Sequence, residues 1–296
     1  MTVNEMNNKP SSHTPSDWDI YRSQWDDLPL LSKGESKEIR IIDKNYVIVR
    51  MIPSLYSYTQ NRSAMINGTD HIRLRIFEFI ASLLRESGIL VAAHAFGSDY
   101  YVTNRIYLHG TDCVPPIEVI VKGRHVGTPK HNLYRIQDYL DRSGDIIKPD
   151  TAHSPYVRFD YTNPLADSDG NRLRDECIPS GLAERFINTK AAEETAIFCF
   201  SLIYAFLSTR GIRLDDICLK IDSSGRVIFG EISPDCFRAT YVGHAPDFQR
   251  ASGTDKSKDT FRRGSAPEQV LESYRSFLKL ITEPAIRAPI SPFASF

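Results

Sequence analysis

Apolar residues fall into short alternating or continuous runs early in the chain and into helical periods later. Glu38-Ile-Arg-Ile-Ile42 and Tyr46-Val-Ile-Val-Arg50 are rich in β-branched residues and are separated by Asp43-Lys44-Asn45, a turn sequence, so they predict a β-hairpin. Ile72, Ile76, Phe79/Ile80 and Leu83/Leu84 recur at helical spacing, with Thr69 or Asp70 as cap and Gly88 as stop. Ile117-Glu-Val-Ile-Val121 reads as a buried strand ending at Lys122-Gly123. The stretch from Leu182 to Ser208 is helical in two pieces and stops before Gly211. Residues 216–221 and 226–229 flank Asp222-Ser-Ser-Gly225 and predict a second hairpin. Val270, Leu271, Tyr274, Phe277, Leu278 and Ile281 mark a last amphipathic helix. Strands and a helix followed by helices around another hairpin predict an α+β fold, with a cleft between two lobes.

The ends differ from the body. Residues 1–28 carry few apolar side chains to offset the entropy of ordering and are expected to drape loosely, with Trp18, Tyr21 and Trp25 available to pack. Residues 283–296 hold three prolines and end in Phe293-Ala-Ser-Phe296, an extended tail expected to dock by its aromatics.

Composition narrows the function classes. In 296 residues, 36 Lys+Arg stand against 37 Asp+Glu, so no bulk charge draws the chain to a nucleic acid polymer or an anionic membrane. No segment approaches the roughly 18 consecutive apolar residues of a membrane span, and the first residues lack the apolar core of a signal peptide. Cys113, Cys177, Cys199, Cys218 and Cys236 form no CxxC pair and no zinc spacing. A reduced, cytoplasmic protein is the expectation.

Three segments carry candidate chemistry. Lys33-Gly34-Glu35-Ser36-Lys37 could bring backbone and ammonium groups to a phosphate, although a solvated turn would look the same. Lys122 to His131 gathers cations, two glycines and the Thr128 hydroxyl after a strand, suiting a phosphate or carboxylate; a solvated basic loop is the equal alternative. Asp216, Asp222, Glu231 and Asp235 surround the second hairpin, an oxygen-rich set of the kind that holds Mg²⁺ against nucleotide phosphates, and Arg238 could meet an anionic substrate. Asp222 itself reads as a turn residue. Asp255-Lys256 and Asp259-Thr-Phe-Arg262-Arg263 could be charges at the entry of the last helix. Cys218 and Cys236 have no base placed beside them by sequence.

In their order these segments resemble SAICAR synthetase, the purine-pathway amide ligase. The matching stretches are residues 33–37, the Gly68 helix entry, residues 117–122 with Gly127-Thr128, residues 211–216, Glu231-Ile-Ser-Pro-Asp235-Cys-Phe-Arg238, and Asp255-Lys256 with Phe261-Arg262. They span roughly residues 30–282. The resemblance implies a two-lobed, kinase-like ATP cleft, with residues 29–121 as the ATP-binding lobe and 122–282 as the substrate- and metal-binding lobe. It implies ATP and Mg²⁺ as cofactors. A small-molecule carboxylate acceptor, on a heterocyclic ribotide or related ring, and the amine of aspartate or a similar amino acid would be the partners. ATP would phosphorylate the carboxylate and the amine would then displace phosphate.

By the same resemblance Gly34, Lys37 and Glu118 hold the nucleotide, and Glu231 and Asp216 hold the metal. Lys37, Asp216, Lys220, Glu231 and Asp235 serve catalysis. Lys122, Arg124, Thr128, Arg238, Lys256 and Arg262 bind substrate. The chain departs from the family at Glu35, where a second lysine is usual, and at Lys122 and Thr128, where arginine and serine are usual. Cys218 and Lys220 stand where the family has lysine and glutamate, Gly230 where it has aspartate, Thr162 near an expected lysine, and Arg174-Asp175 at a His-Asp motif. These changes remove two acidic contacts and add a positive charge. A diverged ligase with an altered acceptor or amine, in specialised metabolism, is the first expectation. A non-catalytic nucleotide- or ribotide-binding relative and a kinase-like phosphotransferase are the alternatives. The sequence leaves a homo-oligomeric state open.

Overall fold

The computed structural model describes residues 15–57, 62–127, 135–163, 167–170 and 173–293. After α1 (Pro15–Ser23) come β1 (Leu30–Lys33), β2 (Lys37–Ile41), β3 (Tyr46–Met51), β4 (Ser54–Ser57) and β5 (Arg62–Met65). Helix α2 (Thr69–Glu86) leads to β6 (Leu90–Val91), β7 (Ala93–Phe96), β8 (Tyr100–Asn104), β9 (Ile117–Arg124), β10 (Ala152–Tyr161) and β11 (Glu176–Ile178). Then follow α3 (Ser180–Ala183), α4 (Thr189–Ser208), β12 (Ile212–Leu219), β13 (Val227–Ile228), β14 (Phe237–Tyr241), β15 (Thr254–Asp255), α5 (Asp259–Arg262) and α6 (Pro267–Thr282).

Two antiparallel sheets organise these elements. One runs β1-β2-β3-β8-β7, the other β11-β10-β9-β12-β14-β15. The first hairpin forms as its alternation predicts, Lys37 opposite Met51 and Ile41 opposite Val47. The Asp43 carboxylate closes its turn by accepting from the Asn45 and Tyr46 amides. Val47, Val49 and Met51 join Leu74, Phe77 and Ile80 of α2 in one core that continues through Val119, Val121, Phe200, Ile217 and Leu219. Ile48, on the opposite face of β3, is covered by Trp18 and Trp25. Residues 15–28 therefore dock, because two buried indoles supply the apolar area the rest of that segment lacks.

Four local expectations need correction. Gly68, at φ 91°, is the N-cap of α2, and neither Thr69 nor Asp70 caps it: the Thr69 hydroxyl donates to the Ile66 carbonyl instead. Strand β9 does not end at Lys122-Gly123 but runs to Arg124, through the expected lobe boundary at 121/122. Gly123 marks a close approach, since a Cβ there would lie 2.8 Å from Phe200 Cζ. The second hairpin shrinks to its turn and an Ile221–Ile228 bridge. Both edges of β12 are already bonded, to β9 and β14, so β13 pairs with β6 in parallel. The C-terminal tail docks through the Ile286 amide on the Thr209 carbonyl and the Ile290 amide on Ser208 Oγ, while Phe293 is exposed and Phe296 lies outside the described residues. Helix α4 is long and, on average, apolar enough to cross a membrane, although Lys190, Glu193 and Glu194 interrupt its apolar run; here it packs on β9, β10 and β12 and buries Ala192, Ala196, Phe200 and Ile203.

Candidate active site

Strand register builds the first charged group. Lys122 on β9, Asp216 on β12 and Arg238 on β14 stand directly opposite one another on three adjacent strands. Asp216 Oδ2 lies 2.6 Å from Lys122 Nζ and 2.6 Å from Arg238 Nη1. Burial opposes the Asp216 charge, but Arg238 and Lys122 outweigh it and hold the carboxyl at about 2. A register irregularity between Leu214 and Asp216 lets Asp215 be buried as well, against Arg213 and Arg124. There desolvation wins and lifts the Asp215 carboxyl to about 6.

Arg238 reaches on to Asp259, at the start of α5, with Nε 2.9 Å from Oδ2. Asp259 also accepts from Arg262, and Arg263 lies 3.3 Å from Asp255. These groups, with Arg213 and Asp215, line a cleft of about 440 Å³. Its guanidinium groups are forked donors suited to carboxylate or phosphate.

A second charged group forms where three distant segments meet. Glu231 accepts from Arg73 Nε and Nη2, each at 2.8 Å, and lies 2.9 Å from Lys37 Nζ. Lys37 comes from β2 and Arg73 from α2. Asp235 lies 3.5 Å from Arg73 and 3.6 Å from Lys258, and accepts from the Tyr274 hydroxyl. Burial disfavours the charge on Glu231, yet Arg73 and Lys37 hold it well below the carboxylate range. Burial likewise opposes the Lys37 charge, and Glu231 nevertheless raises its pKa. The segment 231–238 belongs to both groups, through Glu231 and Asp235 at one end and Arg238 at the other. Beside it, Lys220 Nζ lies 3.1 Å from Glu118 Oε1 and 3.1 Å from Thr162 Oγ1.

No family model matches the chain. It is 24% identical over 298 residues to the bifunctional cordycepin biosynthesis cluster protein 3 of Cordyceps militaris, an alignment that covers 86% of this chain. The chain spans 33% of that relative's length. Among solved structures, phosphoribosylaminoimidazole-succinocarboxamide synthase from Ehrlichia chaffeensis superposes with a TM-score of 0.67 at 20% identity, covering 88% of this chain and 100% of that one. A SAICAR synthetase (type 2) in complex with ADP gives 0.64 at 21% identity over 88% and 100% of the two chains. The Saccharomyces cerevisiae SAICAR synthase complexed with SAICAR gives 0.62 at 14% identity over 87% and 96%. The chain has the SAICAR synthetase fold. The α+β expectation is met.

On the SAICAR synthetase fold the expected site residues divide. Lys122, Asp216 and Arg238 come together. Lys37, Glu231 and Asp235 come together around Arg73, and Lys220 meets Glu118. Gly34 lies in the turn between β1 and β2, its amide bonded to the Lys37 carbonyl. Arg262 lines the arginine-rich cleft. Three of the expected substrate ligands are engaged by partners within the protein. Arg124, 2% exposed, is engaged with Asp215, Asp150 and the Gln249 carbonyl and so braces the loops that carry them. Lys256 bonds Ser276 of α6, whereas Lys258, two residues on, faces Asp235. Lys122, 1% exposed, is engaged by Asp216 and the Val126 carbonyl. Thr128 lies outside the described residues.

The Mg²⁺ set does not fit either. Asp216 and Glu231 are each paired with two protein cations, so neither carries an uncompensated charge. Carboxylates that hold Mg²⁺ against phosphates contribute their negative charge, and here that charge is already matched. Sequence reasoning missed Arg73 and Lys258, and read Asp259 only as a charge at the entry of the last helix. Arg73 had a signal: it is a charged residue three and four positions before Ile76 and Phe77, inside the apolar stripe of α2.

Proposed function

We propose that this chain is an ATP-dependent ligase of the SAICAR synthetase type that joins a carboxylate to an amine. The observation that carries the reading is the segment 231–238, which links the Lys37–Glu231–Arg73 group to the arginine-lined cleft. Two anionic reactants must approach each other, and two cationic regions joined by one short segment suit that task. Lys37 and the Gly34 turn face the nucleotide. Arg238 and Arg262 take the anionic part of the acceptor, exchanging Asp259 for it, while Asp216 and Lys122 fix where Arg238 stands.

The acceptor carboxylate oxygen attacks the terminal phosphorus of ATP, the bond to the bridging oxygen breaks, and ADP leaves. The amine nitrogen then attacks the acyl carbon, loses a proton, and phosphate departs, leaving an amide. The relative in Cordyceps militaris is named for a biosynthesis cluster, which supports a role in specialised metabolism and an acceptor other than the ordinary purine intermediate.

ADP release measured with aminoimidazole carboxylate ribotide and related acceptors, with and without aspartate, tests this. Release should require both acceptor and amine, and Arg238→Met should lower kcat/KM about 10–100-fold, the size of a lost charge-assisted bond. Amine-independent release with a stable phosphorylated acceptor would make the protein a phosphotransferase. Nucleotide binding without turnover on any acceptor would make it a binding protein.

A further inference from the structure

Lys220 follows the end of β12 and is one-third exposed. Its path depends on Gly230. A Cβ at position 230 would lie 2.7 Å from Lys220 Cβ and 3.0 Å from Cγ, closer than real side chains approach. Gly230 does not have a left-handed φ, so no turn demands glycine there. The glycine makes room, and the room is filled by a lysine stem. The Phe229 amide bonds the Lys220 carbonyl at 3.0 Å, and Glu231, which holds Lys37, is the next residue after Gly230. Lys37, Glu231, Gly230 and Lys220 thus form one continuous row.

Every acid along this row already has cations. Glu231 has Arg73 and Lys37, Asp235 has Arg73 and Lys258, Asp216 has Lys122 and Arg238, and Glu118 has Lys220 itself. A polyphosphate entering here meets ammonium groups of the protein and, among the described residues of the row, no carboxylate free to anchor a divalent ion. We propose that Lys220, seated in the space left by Gly230, is a phosphate-binding residue that does the charge-neutralising work of a carboxylate-held Mg²⁺, so that the chain binds a nucleoside diphosphate or triphosphate without a divalent cation. This rests on the nucleotide reading above and adds how the phosphates are met. On binding, Lys220 keeps Glu118 and Thr162 and gives its third N–H to a phosphate oxygen.

Calorimetric titration of the full chain with ADP, in EDTA and in MgCl₂, tests it. The two dissociation constants should agree within about threefold. Lys220→Gln should weaken ADP in EDTA by about tenfold or more, the size of a charge-assisted hydrogen bond. Lys220→Arg should stay within about threefold of the parent in EDTA. Paired Lys220→Glu and Gly230→Asp should make binding depend on Mg²⁺ by about tenfold or more. Tightening of the parent by tenfold or more on adding Mg²⁺ overturns the proposal and leaves the ligase reading intact. An unchanged affinity in a Lys220→Gln protein that melts like the parent overturns it as well. If the parent binds neither ADP nor ATP in either buffer, the nucleotide reading itself has failed, and this inference with it.

Discussion

Replacing Arg73 by methionine isolates a fully buried electrostatic constraint. Arg73 is 1% exposed, makes two 2.8 Å bonds to Glu231, lies 3.5 Å from Asp235 and donates to the Ile52 carbonyl. Methionine keeps most of the apolar stem and removes the fork. Glu231, its side chain 2% exposed, then retains Lys37 and Ser233, and Asp235 retains Lys258 and Tyr274. Removing one partner of a buried pair costs about 3–5 kcal/mol, because the remaining charge stays out of water. That is a large part of the roughly 5–15 kcal/mol that holds a domain folded. Unfolding entropy of about 2.1 cal/mol/K per residue, about 0.6 kcal/mol/K at this length, converts the loss to a fall in Tm of about 5–8 °C. Urea denaturation of Arg73→Met, Glu231→Gln and the double variant gives the coupling. The double variant should be less destabilised than the two single losses together, by at least about 2 kcal/mol, because a neutral amide in place of the Glu231 carboxylate no longer needs the guanidinium. An Arg73→Met loss below about 1 kcal/mol, or strict additivity, would show that Glu231 is solvated or paired elsewhere, and the argument built on its saturation would fail.

Two further outcomes follow from the same geometry. Asp215, lifted to about 6, binds its proton more readily folded than unfolded, so the parent should gain stability relative to Asp215→Asn as pH falls from about 6 to about 4, by about 3 kcal/mol. Asp216 acts in reverse, its stabilisation of about 2 kcal/mol being present above about pH 4 and lost toward about pH 2; urea curves at each pH read both, and a gap between parent and Asp215→Asn that stays flat from about pH 4 to about pH 7 refutes the assignment. Gly123→Ala pushes a methyl group onto Phe200 and should cost about 1–3 kcal/mol by chemical denaturation, with Phe200→Leu recovering most of it; a neutral Gly123→Ala would mean the strand ends where its sequence suggests.

What could be read from the chain in advance depended on whether local pattern or neighbouring strands made the decision. The β2–β3 hairpin, α2, the two-part helix ending before Gly211 and α6 are set by alternation, apolar stripes and glycine, all written within each segment. The fate of residues 226–229 is decided elsewhere: β12 has both edges taken by β9 and β14, and nothing in the local sequence says so. The same limit applies to charges. Lys256 and Lys258 are equivalent as sequence, and only the pairing of β15 with β14 and the start of α5 turn one toward Ser276 and the other toward Asp235. Arg124 looks like a ligand-binding cation in a basic loop until Asp215, buried at a register irregularity, claims it.

The carboxylates that read as metal ligands take a different part once their partners are known. Glu231 and Asp235 face Lys37, Arg73 and Lys258, three cations around two acids. Asp216, Asp259 and Asp255 face Lys122, Arg238, Arg262 and Arg263, four around three. Each group therefore keeps one unit of positive charge in largely buried surroundings, where an unmatched charge is costly. The acids set cation geometry and leave a remainder that only an incoming anion can neutralise. Because Glu231 and Arg238 lie in one short segment, the two remainders are held in a fixed relation by backbone, with no need for an ion between them. On the proposed ligase reading, two such sites are what bringing two anions together requires, and a change in either acid–cation count would alter which pair of anions is accepted.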